Sequence, residues 1–407
     1  MEEGWSSIDG TVCAGCFNDY AIQDFIHSNL AEKSCSYCSR TSESPIAAEM
    51  DGVLSFIAQG FQREYDIPEN CLPYESAEGG WQLVDPYDSD DVFQDLNICT
   101  DECGGLFDDL VSAFSDRQFV DRHPLILSHA DGLKYSWETF CHLTKHEMRF
   151  VFFTFKAKLP PPGEFIHPDE RWGDYAVPYQ ILLELDRIVK QHKIIAALPQ
   201  GTHLIRARQH ATSESHTTAS ALGSPPKKVA RQSRMSPAGI PMFYGAADKD
   251  TAFVETFDAQ VTMKDTVTFG VFEATRPLKL LNLVALPDIP SIFDEARYHL
   301  RPPLIFLHGF QRDISAPITR DGREHYDYVP TQIVAEYFRH IFRYEEKSLD
   351  GILFQSSRND GICYTIFATP DQCTNAPSPD PKFMLQLVSH TKHAVDFSTQ
   401  SFIPTSL

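Results

Sequence analysis

The segment between residues 234 and 255 contains the residue types that a site for a flat, anionic ligand needs. It reads Arg234-Met-Ser-Pro-Ala-Gly-Ile-Pro-Met-Phe-Tyr244-Gly-Ala-Ala-Asp-Lys-Asp-Thr-Ala-Phe-Val-Glu255. A Pro/Gly turn precedes a short apolar strand, and a second turn precedes a helix that carries a carboxylate. An arginine, an aromatic ring and a glutamate around one small pocket suit an anion with a flat leaving group and a transient positive charge. The segment therefore predicts part of a site that breaks the glycosidic bond of a nucleotide.

Four cysteines near the N-terminus have the spacing of metal ligands. Cys13 and Cys16 form one CxxC pair, Cys35 and Cys38 form a second, and 18 residues separate the pairs. Each CxxC turn supplies two thiolates, and two turns complete the tetrahedral shell of a structural zinc ion. We expect Zn²⁺ to stabilise this short segment, and the alternative is two pairs of buried free cysteines. The remaining cysteines show no pairing pattern and are expected in the core: Cys71, Cys99, Cys103, Cys141, Cys363 and Cys373.

The net charge of −21 is concentrated in the first third of the chain. Through Arg122 there are 25 acidic and 5 basic residues, whereas 31 acidic and 30 basic residues follow. An acidic segment repels the phosphates of nucleic acids, so nucleic acid is not an expected partner. The acidity serves either solubility or docking on a basic partner or on the C-terminal part of the chain.

The chain of 407 residues is long enough for two or three domains, and its composition favours an intracellular protein. No apolar run approaches the roughly 18 residues that a membrane helix needs. The N-terminus lacks the basic region and apolar stretch of a secretion signal, so reduced thiols or a metal are expected rather than disulfides. We therefore expect a cytoplasmic location and no membrane partner.

The hydrophobic pattern predicts a mostly helical first part and an α+β second part. Residues 159–163, Leu-Pro-Pro-Pro-Gly, mark the expected boundary. An acidic residue before Thr251, Asp250, is expected to cap the helix that follows. The predicted helices are 17–30, 46–61, one or two helices within 90–114, 137–153, 177–192, 251–257 and 331–342. The predicted strands are 151–155, 203–208, the region of Phe243, 267–272, 278–284 and 351–354, with a mobile surface loop over 211–226.

Further motifs follow in order along the second half of the chain. They are Leu204-Ile-Arg206, the 234–255 segment, Tyr328-Val-Pro-Thr-Gln332-Ile-Val-Ala-Glu-Tyr-Phe-Arg339, Leu349-Asp-Gly-Ile-Leu-Phe-Gln-Ser356-Ser357 and Thr365-Ile-Phe367. In this order, from about residue 200 to 372, they resemble the RES domain, a family named for an Arg, a Glu and a Ser. The family is related to ADP-ribosyltransferase folds and includes toxins that destroy cellular NAD⁺. The resemblance implies NAD⁺ as the substrate and an antitoxin or other regulatory protein as a partner.

The resemblance also implies which residues form the site. It carries the catalytic Arg, Tyr, Glu and Ser of the family to Arg206, Tyr244, Glu255 and Ser356, and its second arginine to Arg234. Glu255 would stabilise an oxocarbenium-like ribose, and Tyr244 would offer a face to nicotinamide. Arg206 and Arg234 would bind the pyrophosphate. Ser356 would hold the ribose or the carboxamide.

Two features of the chain depart from the family pattern, Ser233 and the 211–230 segment, and Ser357 leaves one assignment open. Ser233 precedes Arg234, where the family often has glycine. Ser357 competes with Ser356 for the role of the family serine. The long 211–230 segment would reshape the entrance of the site.

The first half resembles the N-terminal domain that precedes some RES domains and belongs to the all-helical HEPN superfamily. The motifs that carry this resemblance are Cys13-Ala-Gly-Cys-Phe17-Asn-Asp19, Ser136-Trp137-Glu-Thr-Phe140 and Arg149-Phe150. Catalytic HEPN ribonucleases use an arginine, four to six residues and a histidine. Arg117…His123 and Arg187…His192 both fit this spacing, so the pattern is common by chance, and the acidic charge disfavours an RNA substrate.

Together these patterns predict an NAD⁺ glycohydrolase of the RES toxin type. The alternatives are an ADP-ribosyltransferase that modifies a macromolecule, because water and a protein nucleophile attack the same cation, and a non-enzymatic zinc-ribbon and nucleotide-binding interaction protein. The predicted fold is α+β, with an ADP-ribosyltransferase-like RES domain after a helical domain that carries a small zinc knuckle. The predicted domains are a zinc-binding segment (1–45), an acidic helical domain (46–160), a linker with a helix (161–200), the RES catalytic domain (201–375) and a C-terminal tail (376–407).

Overall fold

The computed structural model describes residues 4–154, 179–316 and 324–403. Contacts divide the chain into two units, one of Met1–Gly132 with Asp288–Ile305 and one of Leu133–Pro287 with Phe306–Leu407. The predicted boundary at residues 159–163 lies outside the described residues. The architecture is α+β, as the sequence predicts, with a helical N-terminal part and a large mixed sheet in the C-terminal part.

The first unit is mostly helical and contains three small two-stranded sheets. Its helices are α1 (Tyr20–Ser28), α2 (Met50–Glu64), α3 (Pro68–Cys71), α4 (Ser89–Leu96) and α5 (Leu106–Ala113). Its strands are β1 (Thr11–Cys13), β2 (Ala47–Glu49), β3 (Tyr65–Asp66), β4 (Tyr74–Glu75), β5 (Gly80–Trp81) and β6 (Val120–Asp121). They pair as β1 with β2, β3 with β6 and β4 with β5. One or two helices are expected within 90–114, and the structure has two, α4 and α5.

Two predicted helices of the first unit begin later than expected. The helix predicted from residue 46 begins at Met50, because Ala47–Glu49 pair with β1 instead. The helix predicted from residue 17 begins at Tyr20, where the Asp19 side chain accepts hydrogen bonds from the amides of Ala21 and Ile22. Such a cap satisfies amides that have no partner within the helix, and it fixes the start of the helix.

A segment that is distant in sequence completes the core of the first unit. Phe293, in Asp288–Ile305, is buried among the apolar side chains of α2. It lies directly against Gly60, where an added Cβ would come within 2.1 Å of its ring. Because the segment falls inside the predicted RES range, the sequence-based domain boundaries do not describe this core.

The second unit is built on a mixed sheet. Its helices, including two that begin in the first unit, are α6 (His129–His146), α7 (Gln180–Gln191), α8 (Ala219–Leu222), α9 (Lys249–Thr256), α10 (Arg301–Ser315), α11 (Glu324–Asp327) and α12 (Val329–His340). Its strands are β7 (Ile195–Leu198), β8 (His203–His210), β9 (Phe243–Ala246), β10 (Thr266–Ala274), β11 (Leu278–Asn282), β12 (Gly351–Gln355), β13 (Ile362–Ile366), β14 (Cys373–Thr374), β15 (Leu385–Asp396) and β16 (Ser401–Ile403).

The sheet has a narrow junction in its middle. Its order is β14-β15-β10-β8-β9-β13-β12-β11-β7, with β16 beside β15. The pairs β11–β12 and β14–β15 are parallel, and the other described pairs are antiparallel. Between β8 and β9 the register contains the single pair Ile205–Ala246. The two halves of the sheet therefore meet at one point, and side chains of both strands can enter the gap.

Three sequence predictions for this unit are wrong in part. Residues 385–396, expected in a tail, form β15 and pair with β10 along its whole length. The expected mobile loop at 211–226 contains α8, and Leu222 of this helix is buried in the core. Residues 152–154 form a 3-10 turn rather than a strand, and residue 155 lies outside the described residues.

The first two of these errors share a cause. Because Ser389–Lys392 are polar and exposed, the apolar residues at the ends of β15 are not evident from the sequence. The Ser/Thr-rich composition of 211–226 likewise gives no indication that Leu222 is buried.

Within the described ranges, no helix is both long and apolar enough to cross a membrane.

Candidate active site

A narrow cleft opens at the junction of β8 and β9. Its volume is about 50 Å³, and residues from β8, β9, α9, β12 and β13 line it. Arg206, Tyr244 and Glu255, which the sequence predicts as site residues, all line this cleft. Typical ligand pockets enclose roughly 300 Å³ or more, so the cleft accommodates only a small part of a large ligand.

Glu255 lies in the last turn of α9, and its carboxylate is exposed. The start of this helix is fixed by Asp248, whose side chain accepts a 2.7 Å hydrogen bond from the Thr251 amide and a 2.8 Å bond from its hydroxyl. The expected cap, Asp250, lies instead in the first turn of the helix. Asp248 is the N-cap because it is the residue immediately before the first helical turn.

Ser356 is the closest partner of Glu255. Its Oγ donates a 2.5 Å hydrogen bond to Glu255 Oε1, and its side chain is only 2% exposed. The backbone holds the serine in place, because the Ser356 amide donates to the Gly361 carbonyl and the Arg358 amide donates to Ser356 Oγ. Ser357 is exposed. The structure therefore brings Ser356, and not Ser357, to the carboxylate.

Tyr244 is anchored through its hydroxyl. Ser233 donates a hydrogen bond to this oxygen, which donates in turn to Ser236 Oγ at 2.9 Å. Burial raises the pKa of Tyr244, so its hydroxyl stays protonated at neutral pH. Ser233 is the residue that departs from the family pattern, and here it is used to hold the tyrosine.

Arg234 lies between Ser233 and Ser236 in sequence, and its guanidinium is fixed from another element. Its Nη1 donates to the carbonyl oxygens of Ile314 at 2.7 Å and Ala316 at 2.9 Å. Burial lowers the pKa of Arg234, and the nearby Tyr328 and Glu255 oppose that shift. Arg234 is not among the residues that line the cleft.

The motif that begins at residue 328 holds the backbone of this segment. Thr331 Oγ1 donates a 2.5 Å bond to the carbonyl of Arg234. Gln332 Nε2 donates to the carbonyls of Ser233 at 2.9 Å and Ser236 at 3.3 Å. Sequence reasoning used this motif only to recognise the family, and its structural role is to dock α12 on the arginine segment.

Arg206 reaches the cleft from the other side of the junction. Its Nη1 donates a 3.0 Å bond to the Tyr244 carbonyl, and its guanidinium lies 5.3 Å from the centre of the Phe243 ring. Phe243 belongs to a different core cluster from that of Phe253 on α9. In the described ranges no hydrogen bond or ion pair joins Arg206 to Glu255, although both line the cleft.

Arg206 and Arg234 are both half-buried cations. Among the described residues, no carboxylate forms an ion pair with Arg206 or Arg234. Burial lowers the pKa of Arg206 to about 10, so it remains a cation at neutral pH. A partly buried guanidinium with unused N–H groups is suited to bind an anion.

The four cysteines of the predicted metal site form one cluster in the first unit. The Sγ–Sγ distances are 3.8 Å for Cys13–Cys16, 3.5 Å for Cys13–Cys38 and 3.6 Å for Cys16–Cys35. A tetrahedral zinc ion with Zn–S bonds of 2.3 Å places its ligands about 3.8 Å apart. The cluster therefore fits a zinc knuckle and is able to bind a metal such as zinc.

The pKa values of the clustered thiols differ from one another, because burial and backbone N–H groups act in opposite directions. Burial raises the pKa of Cys13 to about 11 and also raises the pKa of Cys16. Burial acts in the same direction on Cys35, but backbone N–H groups of Cys38, Tyr37 and Cys13 lower its pKa to about 7. Backbone N–H groups that point at a sulfur stabilise a thiolate, the form that binds metal.

The second HEPN-like pair, Arg187 and His192, lies at the C-terminal end of α7. Arg187, in α7, donates to Glu184 Oε2 at 2.8 Å and to Gln191 Oε1 at 2.8 Å. His192 follows as the residue after the last helical turn. These contacts are those of an arginine on a solvated helix face.

The cleft lies at the junction of a divided mixed sheet in an α+β unit, and the predicted site residues Arg206, Tyr244 and Glu255 line it. Comparison with family models identifies two domains in this chain. Residues 203–387 match the RES domain, and residues 28–158 match HEPN/RES N-terminal domain 1. The chain therefore belongs to the RES-domain proteins that carry a HEPN/RES N-terminal domain, and a RES domain indicates an NAD-acting enzyme in general terms.

Comparisons with curated proteins and with solved structures found no significant match. The RES match ends at residue 387, beyond the expected limit of 375, and includes the first residues of β15. The first CxxC pair, Cys13 and Cys16, lies before the HEPN/RES match, whereas Cys35 and Cys38 lie within it.

Proposed function

We propose that this protein is an NAD⁺ glycohydrolase that cleaves the nicotinamide–ribose bond and depletes cellular NAD⁺ as a toxin. The observation that carries the proposal is the 2.5 Å bond from Ser356 to Glu255 at the cleft that Arg206 and Tyr244 also line. This hydrogen bond orients the Glu255 carboxylate beside the cleft, which the Arg206 cation also lines. Such a carboxylate stabilises positive charge on a ribose in the transition state.

The reaction begins when the bond between ribose C1′ and the nicotinamide nitrogen breaks. Both electrons of the bond stay with nicotinamide, whose positive charge is neutralised, and the ribose becomes an oxocarbenium-like cation. Glu255 stabilises this cation, and Ser356 fixes the carboxylate through Oε1, leaving Oε2 for the substrate. Water then adds to C1′ and releases a proton, so the products are nicotinamide, ADP-ribose and a proton.

The other site residues bind and orient the dinucleotide. Arg234 is a candidate for binding the phosphates, because its Nη1 holds the carbonyl oxygens of Ile314 and Ala316 and its other N–H groups can donate to an anion. Arg206 supports the junction by holding the Tyr244 carbonyl through Nη1, and we propose that its other N–H groups are available to a phosphate. The Tyr244 ring, fixed by its hydroxyl, offers an aromatic surface to nicotinamide. Only the nicotinamide end fits the cleft, so the rest of NAD⁺ extends outside it.

Zinc is proposed as a structural ion of the first unit. Four thiolates complete its coordination, so no position is left for a substrate. The ion would join the two CxxC turns and stabilise the segment around β1 and α1. A toxin of this kind needs restraint, and an antitoxin or another regulatory protein is the proposed partner.

The test is nicotinamide release from NAD⁺ by the purified full-length protein. Glu255→Gln keeps the shape of the side chain and removes its charge, so we expect turnover to fall by about 10³-fold or more. Asp250→Asn is the matched control, because Asp250 is an exposed acid in the first turn of the same helix. Equal turnover by wild type and Glu255→Gln would reject the proposal. Adenylate-labelled NAD⁺ separates the outcomes, because hydrolysis leaves the label in free ADP-ribose and transfer attaches it to protein.

A further inference from the structure

A second cluster of metal-ligating side chains lies at the end of β8, away from the cleft. It consists of His210, Glu214 and His216, and their ligand atoms all lie within 4.8 Å of one another. His210 is the last residue of β8, four residues beyond Arg206, which corresponds to roughly 13 Å along a strand. The proposed reaction uses none of the three. We infer that they form a site for a divalent transition-metal ion such as Zn²⁺.

The distances between the side chains suit this coordination. His216 Nε2 lies 3.1 Å from Glu214 Oε2. Zinc bonds of 2.0–2.2 Å to nitrogen and oxygen place tetrahedral ligands about 3.3 Å apart. The rings of His210 and His216 are perpendicular, with centres 4.6 Å apart. Two imidazoles and one carboxylate are ligands that zinc and its neighbours in the periodic table prefer.

His210 has the second hydrogen bond that metal-binding histidines usually make. Its Nδ1 lies 2.8 Å from the Ala211 carbonyl, so this nitrogen carries the proton and donates. Nε2 then keeps its lone pair, and it lies 2.7 Å from the Thr268 hydroxyl. A backbone carbonyl on the far nitrogen fixes the tautomer and the ring orientation of a metal ligand. Thr268 would release Nε2 to the ion or contribute its oxygen.

The charges around the cluster determine how tightly the ion binds. His210 is buried, whereas Glu214 is exposed. The Lys392 ammonium donates to the carbonyl oxygens of Thr212 and Glu214 and therefore repels a cation. This site should consequently bind zinc more weakly than the four cysteines.

The occupied site would join the end of β8 to the loop that precedes α8. Three protein ligands leave a fourth position for water, and the loop from Ala211 to His216 would be held at both ends. The strand that this loop follows is the one that carries Arg206. The ion would therefore stabilise one edge of the junction without entering the cleft.

The experiment is a Co²⁺ and Zn²⁺ titration of the full-length chain, purified without a histidine tag. We expect two ions per wild-type chain. Co²⁺ at the cysteines gives an intense thiolate charge-transfer band, whereas Co²⁺ at histidine and glutamate gives only ligand-field bands, so the two sites are read separately. His216→Ala should leave the thiolate band intact and weaken the second ion by more than the roughly 10- to 100-fold that loss of an outer hydrogen bond costs.

The control is His203→Ala, which removes an exposed histidine from the same strand. It should keep both ions, and Glu214→Gln should behave like His216→Ala. The thiolate band serves as an internal measure of folding for every variant. A single ion on the wild-type chain, with no ligand-field signal beyond that of the thiolate site, would overturn the inference. Equal second-site binding by wild type and His216→Ala would overturn it as well. Neither readout depends on NAD⁺ turnover, so the proposed function and this site can fail independently.

Discussion

Glu255 owes its orientation to one buried neighbour, Ser356. The carboxylate is exposed, and an exposed glutamate at the end of a helix samples several rotamers unless a partner fixes it. The serine is fixed because its amide donates to the Gly361 carbonyl and its Oγ accepts from the Arg358 amide. Rigid support of this kind keeps a catalytic group in its reactive geometry.

At the residue scale, Ser356→Ala should lower kcat by about 10- to 100-fold and leave the KM for NAD⁺ nearly unchanged. The substitution removes a hydrogen bond to a charged group, which contributes roughly 1.5–3 kcal/mol. The measurement is steady-state nicotinamide release. Ser357→Ala is the matched control, because Ser357 is exposed and adjacent, and it should behave like wild type. A larger loss in Ser357→Ala than in Ser356→Ala would contradict the assignment.

The sequence predicts which residues belong to the candidate site, but it does not predict the contacts between them. The order of the motifs predicts Arg206, Tyr244, Glu255 and Ser356 as site residues, yet the Ser356–Glu255 bond joins positions 101 residues apart. Periodicity gives no information on such a pairing. It also gives no reason to expect the Arg206 head group beside Phe243, because that position depends on the narrow junction of the sheet.

At the element scale, α9 and its cap determine where Glu255 lies. The sequence predicts a helix at 251–257, and the structure has it at Lys249–Thr256, so the expected cap lies two residues too late. Two acids, Asp248 and Asp250, stand before or within the first turn, and local sequence alone cannot separate them. The structure separates them through the bonds from Asp248 to Thr251.

Asp248→Ala should lower the free energy of unfolding by about 1 kcal/mol, because it removes an N-cap. It should also lower turnover by shifting the end of the helix that carries Glu255. Urea unfolding followed by circular dichroism measures the first effect. Asp250→Ala, in the same turn but without a capping bond, should change stability by less than half as much. If both substitutions cost the same, Asp248 does not act as the cap.

The CxxC turns are the element whose stability depends on a bound ion. Cys13→Ser should remove one zinc ion per chain and unfold the segment around β1 and α1, since the first unit has lost a ligand that its fold requires. Elemental analysis together with circular dichroism measures both effects. Cys71→Ser changes a cysteine outside the cluster and should retain the ion. Full zinc content in Cys13→Ser would show that the cluster is not the site.

At the scale of the whole molecule, the first unit is built from two stretches of chain that are far apart in sequence. The RES match continues through residues 288–305, yet this segment belongs to the first unit, where Phe293 is buried. Composition and motifs describe domains as successive stretches, so they miss a segment that returns to an earlier core. A chain shortened to begin near residue 165 would leave Phe293 without its packing partners. The role of the acidic first third, in solubility or in docking, is therefore best tested in the full chain.

Phe293→Ala should destabilise the first unit by about 3–5 kcal/mol, the usual cost of truncating a buried phenylalanine. The expected result is earlier unfolding and earlier loss of zinc in urea, although the substitution lies within the RES sequence range. Ile289→Ala is the control, because Ile289 is 37% exposed in the same segment, and it should cost far less. An unchanged unfolding midpoint for Phe293→Ala would contradict the interleaved arrangement.

The central claim is that this site cleaves the nicotinamide–ribose bond of NAD⁺. Mass spectrometry of the products tests it most directly, because each bond of the dinucleotide leaves a different pair of fragments. The account predicts equal amounts of nicotinamide and ADP-ribose from the wild-type chain, and intact NAD⁺ after incubation with Glu255→Gln. Intact NAD⁺ after incubation with the folded wild-type protein, or cleavage to nicotinamide mononucleotide and AMP, would contradict it.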